Sequence, residues 1–476
     1  MKSFSFKITS ALALAAVSFL LASCGDFKKS SVVNPPSNGS ADFSMYVSLG
    51  NSLTAGYQNG ALYESAQQYS YPADIAQQAG VSASAFQQPL ISEPGIGGRL
   101  KILSLAGPVI GRDPAGAGVP MNLTLARPYN NLGVPGAVLY DLIDTSSFAA
   151  KVGPPRNNPF FSIVLRNPAL GKSPVMQALA LHPTFMTVWI GANDVLGYAT
   201  SGGTVGTDPA THSLPTDIPT FTYLYNTMMG ALLAGDSTAK FAVANIPDVT
   251  SIPFFTTIPA VVVNPLTNQV VINPQTGQPV PLIVMRHEHG NLVPDFANPK
   301  YDLILLTALD SLKAGVGIPT QLGGTGRPLG TQFVLDSSEV ATTEQAIQGF
   351  NQVIGAFAAG HSNRVALVDA YSTFNDFAKY GYVGQGVDLT NSYITGGFFG
   401  LDGVHPTSQG YAYVANIFIQ AINQRFGANI PLVSISTTPS SIVLGKRGAA
   451  KILWPNIHYS DLKPVLQLFQ QSDLSQ

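Results

Sequence analysis

Four short stretches of the chain carry side chains suited to nucleophilic attack on a carbonyl group. They are Gly50-Asn51-Ser52-Leu53, Gly133-Val134-Pro135-Gly136, Gly191-Ala192-Asn193-Asp194 and Asp402-Gly403-Val404-His405-Pro406. A serine hydroxyl is a weak nucleophile at neutral pH, so it needs a base within hydrogen-bond reach and a third group that orients the base. Ser52 could be the nucleophile, His405 the base, and Asp402 the orienting carboxylate, because one turn of chain separates it from the histidine.

Such a reaction also needs hydrogen-bond donors for the oxygen that becomes negatively charged in the transition state. The backbone N–H groups of Ser52 and Gly136 and the side-chain amide of Asn193 could supply three. Glycine at position 136 would let the backbone approach a substrate closely. Gly133 is a rival for this role, and Gly136 is preferred because a short helix is expected directly after it.

Each of these residues also has an ordinary structural interpretation. Ser52 could only cap a helix, and Asn193 could only be a turn residue. Asp402 could cap a turn, and His405 could be a loop histidine. Asp194 is interpreted as a structural hydrogen-bonding residue. The presence of all four stretches in one chain favours the catalytic interpretation.

The elements that must position these stretches are buried strands and amphipathic helices. Mostly apolar runs predict strands at 43–49, 185–190, 240–246 and 365–369. Helices are predicted at 219–234, 337–359 and 408–425. Strands alternating with helices indicate a mainly parallel sheet covered on both faces. In such a sheet the carboxyl ends of the strands converge on one crevice, where ligands bind.

The four stretches, in this order and with long spacing, resemble the sequence blocks of the GDSL, or SGNH, hydrolases over residues 43–430. The resemblance implies a three-layer α/β/α fold with a mainly parallel sheet and a β-rich insertion. It also implies a serine esterase or lipase that works through an acyl-enzyme and needs no cofactor or metal. Asn51 is a departure, since the family usually has Asp there; that Asp is generally structural, so activity is expected to survive.

Carried over residue by residue, the resemblance assigns a role to each block. Ser52 is the expected nucleophile, and Asp402 and His405 are the expected acid–base pair. The oxyanion hole is expected from Ser52, Gly136 and Asn193.

The resemblance leaves the substrate open. Short-chain and lipid esters are expected, and an acetylated surface glycan is the alternative within the same family. Acyl transfer to an acceptor other than water also remains open. A different class is a non-catalytic surface lipoprotein that binds a glycan or lipid, which the large insertions and the loss of Asp at position 51 would suit. Nucleic acid is not an expected partner, because charged residues are only 11% and the net charge is -2.

Residues 1–23 are typical of a lipoprotein signal peptide. Two lysines precede an apolar run at 11–21 that is short for a membrane span. It leads into Leu21-Ala22-Ser23-Cys24, which resembles a bacterial lipobox, in which the cysteine is lipidated and becomes the first mature residue. Cys24 is the only cysteine, so an internal disulfide framework is excluded. Residues 24–42 indicate a flexible tether. We expect a lipid anchor at Cys24 on the outer membrane, with the protein facing the periplasm or the cell surface.

Two insertions, at about 84–130 and 250–330, and a C-terminal extension at 431–476 complete the chain. The second insertion is predicted to hold an antiparallel hairpin or meander at 260–284 and a helix at 301–314. The extension has strand character from 433 and no evident role. His287-Glu288-His289 raises a metal hypothesis, since alternate residues of a strand share a face, but no third ligand is evident and a polar loop is preferred.

Overall fold

The computed structural model describes residues 35–104, 109–113, 117–153, 157–203, 215–288, 291–440 and 451–469. The chain divides into two units, Met1–Ser37 and Asn38–Gln476. The predicted signal peptide and the Cys24 anchor lie outside the described residues.

The helices and strands of the second unit are mostly short. The strands are β1 (Tyr46–Gly50), β2 (Leu100–Ser104), β3 (Val109–Arg112), β4 (Asn131–Gly133), β5 (Phe185–Trp189), β6 (Lys240–Ala244), β7 (Val263–Asn264), β8 (Gln269–Val270), β9 (Ile283–Glu288), β10 (Asn291–Phe296), β11 (Leu303–Ile304), β12 (Val334–Leu335), β13 (Val365–Val368), β14 (Tyr382–Gly384) and β15 (Val387–Leu389). The helices are α1 (Ser52–Ala55), α2 (Glu64–Gln67), α3 (Tyr71–Gln78), α4 (Leu139–Ile143), α5 (Phe148–Val152), α6 (Phe160–Leu165), α7 (Pro174–Ala180), α8 (Asn193–Thr200), α9 (Ile218–Gly235), α10 (Pro253–Thr256), α11 (Leu309–Lys313), α12 (Ser337–Gly360), α13 (Ala370–Tyr380), α14 (Ser408–Phe426) and α15 (Tyr459–Phe469).

A five-stranded parallel sheet forms the centre, in the order β13-β6-β5-β1-β4. Side chains of β5 alternate between its two faces. Phe185 and Trp189 join a core with residues of α3 and α14, and Met186 and Val188 join a core with residues of α7, α9 and α12. The predicted α/β class is confirmed, with helices covering a parallel sheet on both sides.

The predicted central strands and long helices are confirmed, with boundaries shifted by up to three residues. The edge strand β4 was not predicted, because three residues carry too short a pattern to recognise. Among the described residues, no helix is both long and apolar enough to cross a membrane.

The second insertion differs in part from its prediction. β7 and β8 pair antiparallel as expected, but the longest hairpin is β9–β10, further along the chain. The prediction of a helix at 301–314 is wrong for the first half of that range. There, β11 pairs with β12 and a 3₁₀ turn follows at Leu306–Ala308, so α11 begins only at Leu309.

The C-terminal extension contains a helix instead of the expected strand. The backbone N–H and carbonyl of Val433 both bond to the side-chain amide of Asn416, at 2.7 and 3.0 Å, and not to a neighbouring strand. A 3₁₀ turn follows at Ile435–Thr437, and α15 carries a buried apolar stripe. This extension therefore packs on the folded domain.

Candidate active site

Ser52 lies directly beyond the carboxyl end of β1, at the first residue of α1. A Cβ on Gly50 would lie 2.4 Å from the carbonyl oxygen of Trp189, so this turn requires glycine. The residue that caps α1 is Asn51, whose Oδ1 accepts a hydrogen bond from the N–H of Leu53 at 3.0 Å. The Ser52 hydroxyl is therefore not used as a helix cap.

The structure brings Ser52, His405 and Asp402 together in one hydrogen-bonded row. Nε2 of His405 lies 2.9 Å from Oγ of Ser52. Nδ1 of His405 lies 3.0 Å from Oδ2 of Asp402. All three residues are buried, with Ser52 the most exposed at 2%. This is the order of nucleophile, base and carboxylate that a serine hydrolase requires.

The carboxylate of Asp402 accepts four hydrogen bonds. Oδ2 accepts from the His405 ring and from the N–H of Gly60 at 2.7 Å. Oδ1 accepts from the N–H groups of Val404 and His405 at 3.0 and 2.9 Å. Burial by itself would raise the pKa of Asp402, but the charge of His405 and these hydrogen bonds outweigh it and lower the pKa below its ordinary value. The ionised carboxylate favours a proton on Nδ1, which leaves Nε2 free to accept the serine proton.

The donor groups predicted for the oxyanion follow neighbouring strands. β4, β1 and β5 are adjacent, so Gly136, Ser52 and Asn193 lie beyond the same edge of the sheet. Gly136 has a φ of +79°. The side-chain amide of Asn193 donates one hydrogen bond to the carbonyl of Ala137 at 2.9 Å, which leaves its second hydrogen for a ligand. Within the described residues, the backbone N–H groups of Ser52 and Gly136 donate to no protein acceptor.

Gly133, the rival glycine, has a different position. It ends β4, paired with Gly50, and its N–H already donates to Oδ1 of Asn131 at 3.0 Å. A Cβ at this position would lie 2.4 Å from the backbone nitrogen of Ala55, so glycine permits close packing of α1 on the sheet. Its N–H is thus occupied, whereas that of Gly136 has no acceptor among the residues that the structure describes.

Asp194 forms hydrogen bonds that connect separate segments of the site. Its Oδ2 accepts a hydrogen bond from the N–H of Leu139 at 2.9 Å, and its Oδ1 accepts one from the hydroxyl of Thr216 at 3.0 Å. Burial raises the pKa of Asp194 to about 7. These contacts hold α8 against the chain that follows β4, which agrees with the structural interpretation of this residue.

A narrow cavity of about 60 Å³ lies beside Ser52 and His405. Its walls are mostly apolar and include Trp189, Leu196, Ile252, Phe399 and Phe469. A cavity of this kind accommodates an apolar group next to the serine and offers little to hydroxyl-rich ligands.

Two aromatic rings beside His405 were missed by sequence reasoning. The ring centroid of Tyr57 lies 4.7 Å from that of the imidazole, and the ring of Phe469 lies 5.9 Å away at an interplanar angle of 29°. The hydroxyl of Tyr57 donates to the carbonyl of Gly60 at 2.7 Å, on the turn that also contacts Asp402. These rings restrict the motion of the imidazole.

The sequence carried a signal for one of these rings. Leu462, Val465, Leu466 and Phe469 recur at the spacing of one helix face, which predicts an amphipathic helix. Pro464 lies inside that pattern and argues against a helix. For the Gly60 turn, the Asn59-Gly60 pair was the available signal.

The structure brings two carboxylates close to His287, one of the residues in the metal hypothesis at 287–289, but both carboxylates have another role. His287 ends near Glu339, with 3.4 Å between Nδ1 and Oε1, and Asp336 lies close enough for three ligand atoms within 4.8 Å of one another. Asp336 and Glu339 form the capping box of α12 and accept hydrogen bonds from its first backbone N–H groups. Position 289 lies outside the described residues. The carboxylates are explained by helix capping.

A known protein family covers most of the chain. The family model described as GDSL-like Lipase/Acylhydrolase matches residues 46–418. That span contains every residue predicted for the catalytic site and ends before α15. No curated protein matches the chain.

Proposed function

Because the chain belongs to the GDSL-like lipase/acylhydrolase family, we propose that it hydrolyses carboxylic esters through an acyl-enzyme on Ser52. The observation that carries this proposal is the 2.9 Å hydrogen bond between the Ser52 hydroxyl and Nε2 of His405. It pairs a nucleophile with a base that Asp402 holds in turn.

The proposed reaction has two steps. In the first, Nε2 of His405 takes the proton of Ser52 as Oγ attacks the ester carbonyl, and Asp402 stabilises the charged imidazole. The N–H groups of Ser52 and Gly136 and the amide of Asn193 stabilise the negative oxygen. His405 then protonates the departing alcohol. In the second step, His405 takes a proton from water as the water oxygen attacks the acyl-enzyme. His405 then returns the proton to Oγ of Ser52 as the ester bond to the enzyme breaks and the acid leaves.

The test is turnover of p-nitrophenyl esters by the purified full chain and its Ser52→Ala variant. We expect the variant to lose turnover while circular dichroism shows an intact fold. Ser408→Ala is the matched control, since Ser408 is also buried, but its hydroxyl donates to Gln58 and not to a base. Full activity of the Ser52 variant would refute the assignment.

The glycan- or lipid-binding alternative is separated by a serine-reactive fluorophosphonate. An enzyme with Ser52 activated by His405 becomes labelled at Ser52 even when its natural ester is unknown. A folded chain that resists the reagent and hydrolyses no ester would support the binding protein.

We also propose that the chain is anchored to the cell envelope through a lipid on Cys24. The support is the sequence alone, in which an apolar run leads into Leu21-Ala22-Ser23-Cys24. Metabolic labelling with a fatty-acid analogue should mark the native chain and spare Cys24→Ser. Equal labelling of both chains would contradict the anchor.

A further inference from the structure

The last helix of the described chain, α15, contributes to a site whose other residues lie within the family span. The carbonyl oxygen of Leu468 lies so close to Gly136 that a Cβ there would be 2.6 Å away. Next along the helix, Phe469 is completely buried and lines the cavity beside Ser52 and His405. A segment outside the matched family region thus forms a wall next to the proposed oxyanion donors.

The size of the cavity limits what fits against this wall. A single water needs about 10–15 Å³ of cavity volume, so the observed 60 Å³ holds roughly four to six groups of that size. An acyl group from acetyl to butyryl fits within this volume, whereas much of an octanoyl chain would have to extend beyond the cavity. The apolar walls suit the hydrocarbon part of the acid better than a polar alcohol.

The wall is held in place by contacts away from the cavity. Oδ2 of Asp310 accepts a hydrogen bond from the N–H of Tyr459 at 2.8 Å, and Oδ1 lies 3.0 Å from Nδ1 of His458. The guanidinium of Arg112 donates to the carbonyl of Asp461. These contacts hold the first turn of α15, and its buried apolar stripe packs the rest of the helix, including Phe469, against the domain.

We propose that Phe469 determines acyl-chain specificity and restricts the enzyme to short-chain esters. The proposal rests on the proposed function, since it concerns the acyl group bound to Ser52. Replacement by alanine removes the ring and extends the apolar cavity. Each further methylene that becomes buried should then favour the substrate by about fourfold.

The experiment measures kcat/KM for p-nitrophenyl esters from acetyl to palmitoyl with the native full chain and three variants. Phe469→Ala should move the optimum from butyryl or shorter to hexanoyl or octanoyl and raise the octanoyl-to-acetyl ratio at least tenfold. Phe469→Trp should move the optimum toward acetyl. Leu466→Ala is the matched control, because Leu466 is equally a buried apolar residue of α15 but does not line the cavity; its ratio should stay native.

Two results would overturn the proposal. One is a native preference for long chains; the other is an equal change of the ratio in the Phe469→Ala and Leu466→Ala variants. If Phe469→Ala does not fold, Phe469→Leu replaces it, with the same expected direction. Rates of labelling by ethyl and dodecyl fluorophosphonates give the same comparison without turnover. If the native chain hydrolyses no ester and reacts with neither reagent, the proposed function itself is refuted. If the native chain is active but Phe469→Ala leaves the chain-length preference unchanged, only the role of Phe469 is refuted.

Discussion

Replacement of Asp402 by asparagine should damage both catalysis and stability, and the structure allows both losses to be estimated. Each carboxylate oxygen accepts two hydrogen bonds. An asparagine side chain has one acceptor oxygen and one donor group of similar shape. In either orientation, its NH₂ group therefore faces two of the four buried donors.

The magnitude follows from this mismatch. Each buried donor left unpaired costs about 1–3 kcal/mol. One donor is unpaired if the NH₂ group faces His405 and the imidazole changes tautomer, and two are unpaired in the other orientation, so the free energy of unfolding should fall by about 1–6 kcal/mol. If the NH₂ group faces His405, the imidazole must carry its proton on Nε2 and can no longer accept the proton of Ser52. If the oxygen faces His405, the negative charge that stabilises the imidazolium is still lost. By analogy with other Ser-His-Asp sites, kcat should fall by about 10⁴.

The assay combines steady-state hydrolysis of p-nitrophenyl butyrate with urea unfolding of the same samples. Asp74→Asn is the control, because Asp74 is equally a buried aspartate but burial raises its pKa to about 8. Within the described residues its Oδ2 has no hydrogen-bond partner. At pH 7 the group is mostly protonated, so the amide should leave kcat unchanged and stability unchanged or higher.

Two outcomes would refute the reasoning about Asp402. A kcat within tenfold of the native value would show that the carboxylate does not orient His405 for the reaction. A free energy of unfolding equal to the native value would show that its four hydrogen bonds are not maintained in solution.

Three further predictions concern the donors and a buried acid. Asn193→Ala should lower kcat by about 10²–10³ with little change in KM; an unchanged kcat in steady-state assays would remove Asn193 from the oxyanion hole. Gly136→Ala should lower both kcat and Tm, because φ is +79° and the new Cβ would meet the carbonyl of Leu468. Gly80→Ala is the control, because Gly80 has φ +81° but no atom of the described residues lies within 4 Å of the added Cβ. It should keep its kcat and lower only Tm, because the strained backbone reduces the free energy of unfolding by about 1–2 kcal/mol. Equal kcat losses in both variants would show that the contact with Leu468 does not cause the loss. The pKa of Asp74 is raised in the folded chain to about 8, so the folded state holds a proton that the unfolded state releases near pH 4. Stability should therefore fall as pH rises from about 4 to 8, and Asp74→Asn should flatten this dependence in thermal unfolding at pH 5 and 8; an unaltered slope would show that Asp74 does not contribute to it.

The sequence predicted those parts of the fold and site that depend on local patterns. Mostly apolar runs marked β1, β5, β6 and β13, since strands covered on both faces are largely apolar. Ser52 and His405 were proposed because few residue types can act as nucleophile and base, and the structure places their side chains 2.9 Å apart. The strand-to-helix turns around them then fixed a shared edge of the sheet.

Contacts between distant segments were not predictable in this way. The four donors to Asp402 include the N–H of Gly60, and no pattern near either residue indicates that pairing. The position of Phe469 beside His405 depends likewise on how α15 docks. Local periodicity can predict that α15 is amphipathic, but it does not specify which surface the apolar stripe covers.

The hydrogen bond between Ser52 and His405 closes a loop of 353 residues. The entropy lost on closing a loop rises only with the logarithm of its length, so doubling the loop costs about 0.6 kcal/mol. Segments such as the β9–β10 hairpin can therefore be added between the two residues at small cost, provided that they bury their own apolar surface. In evolutionary terms, the substrate range of such an enzyme can change by gain or exchange of these segments while the reacting pair stays constant.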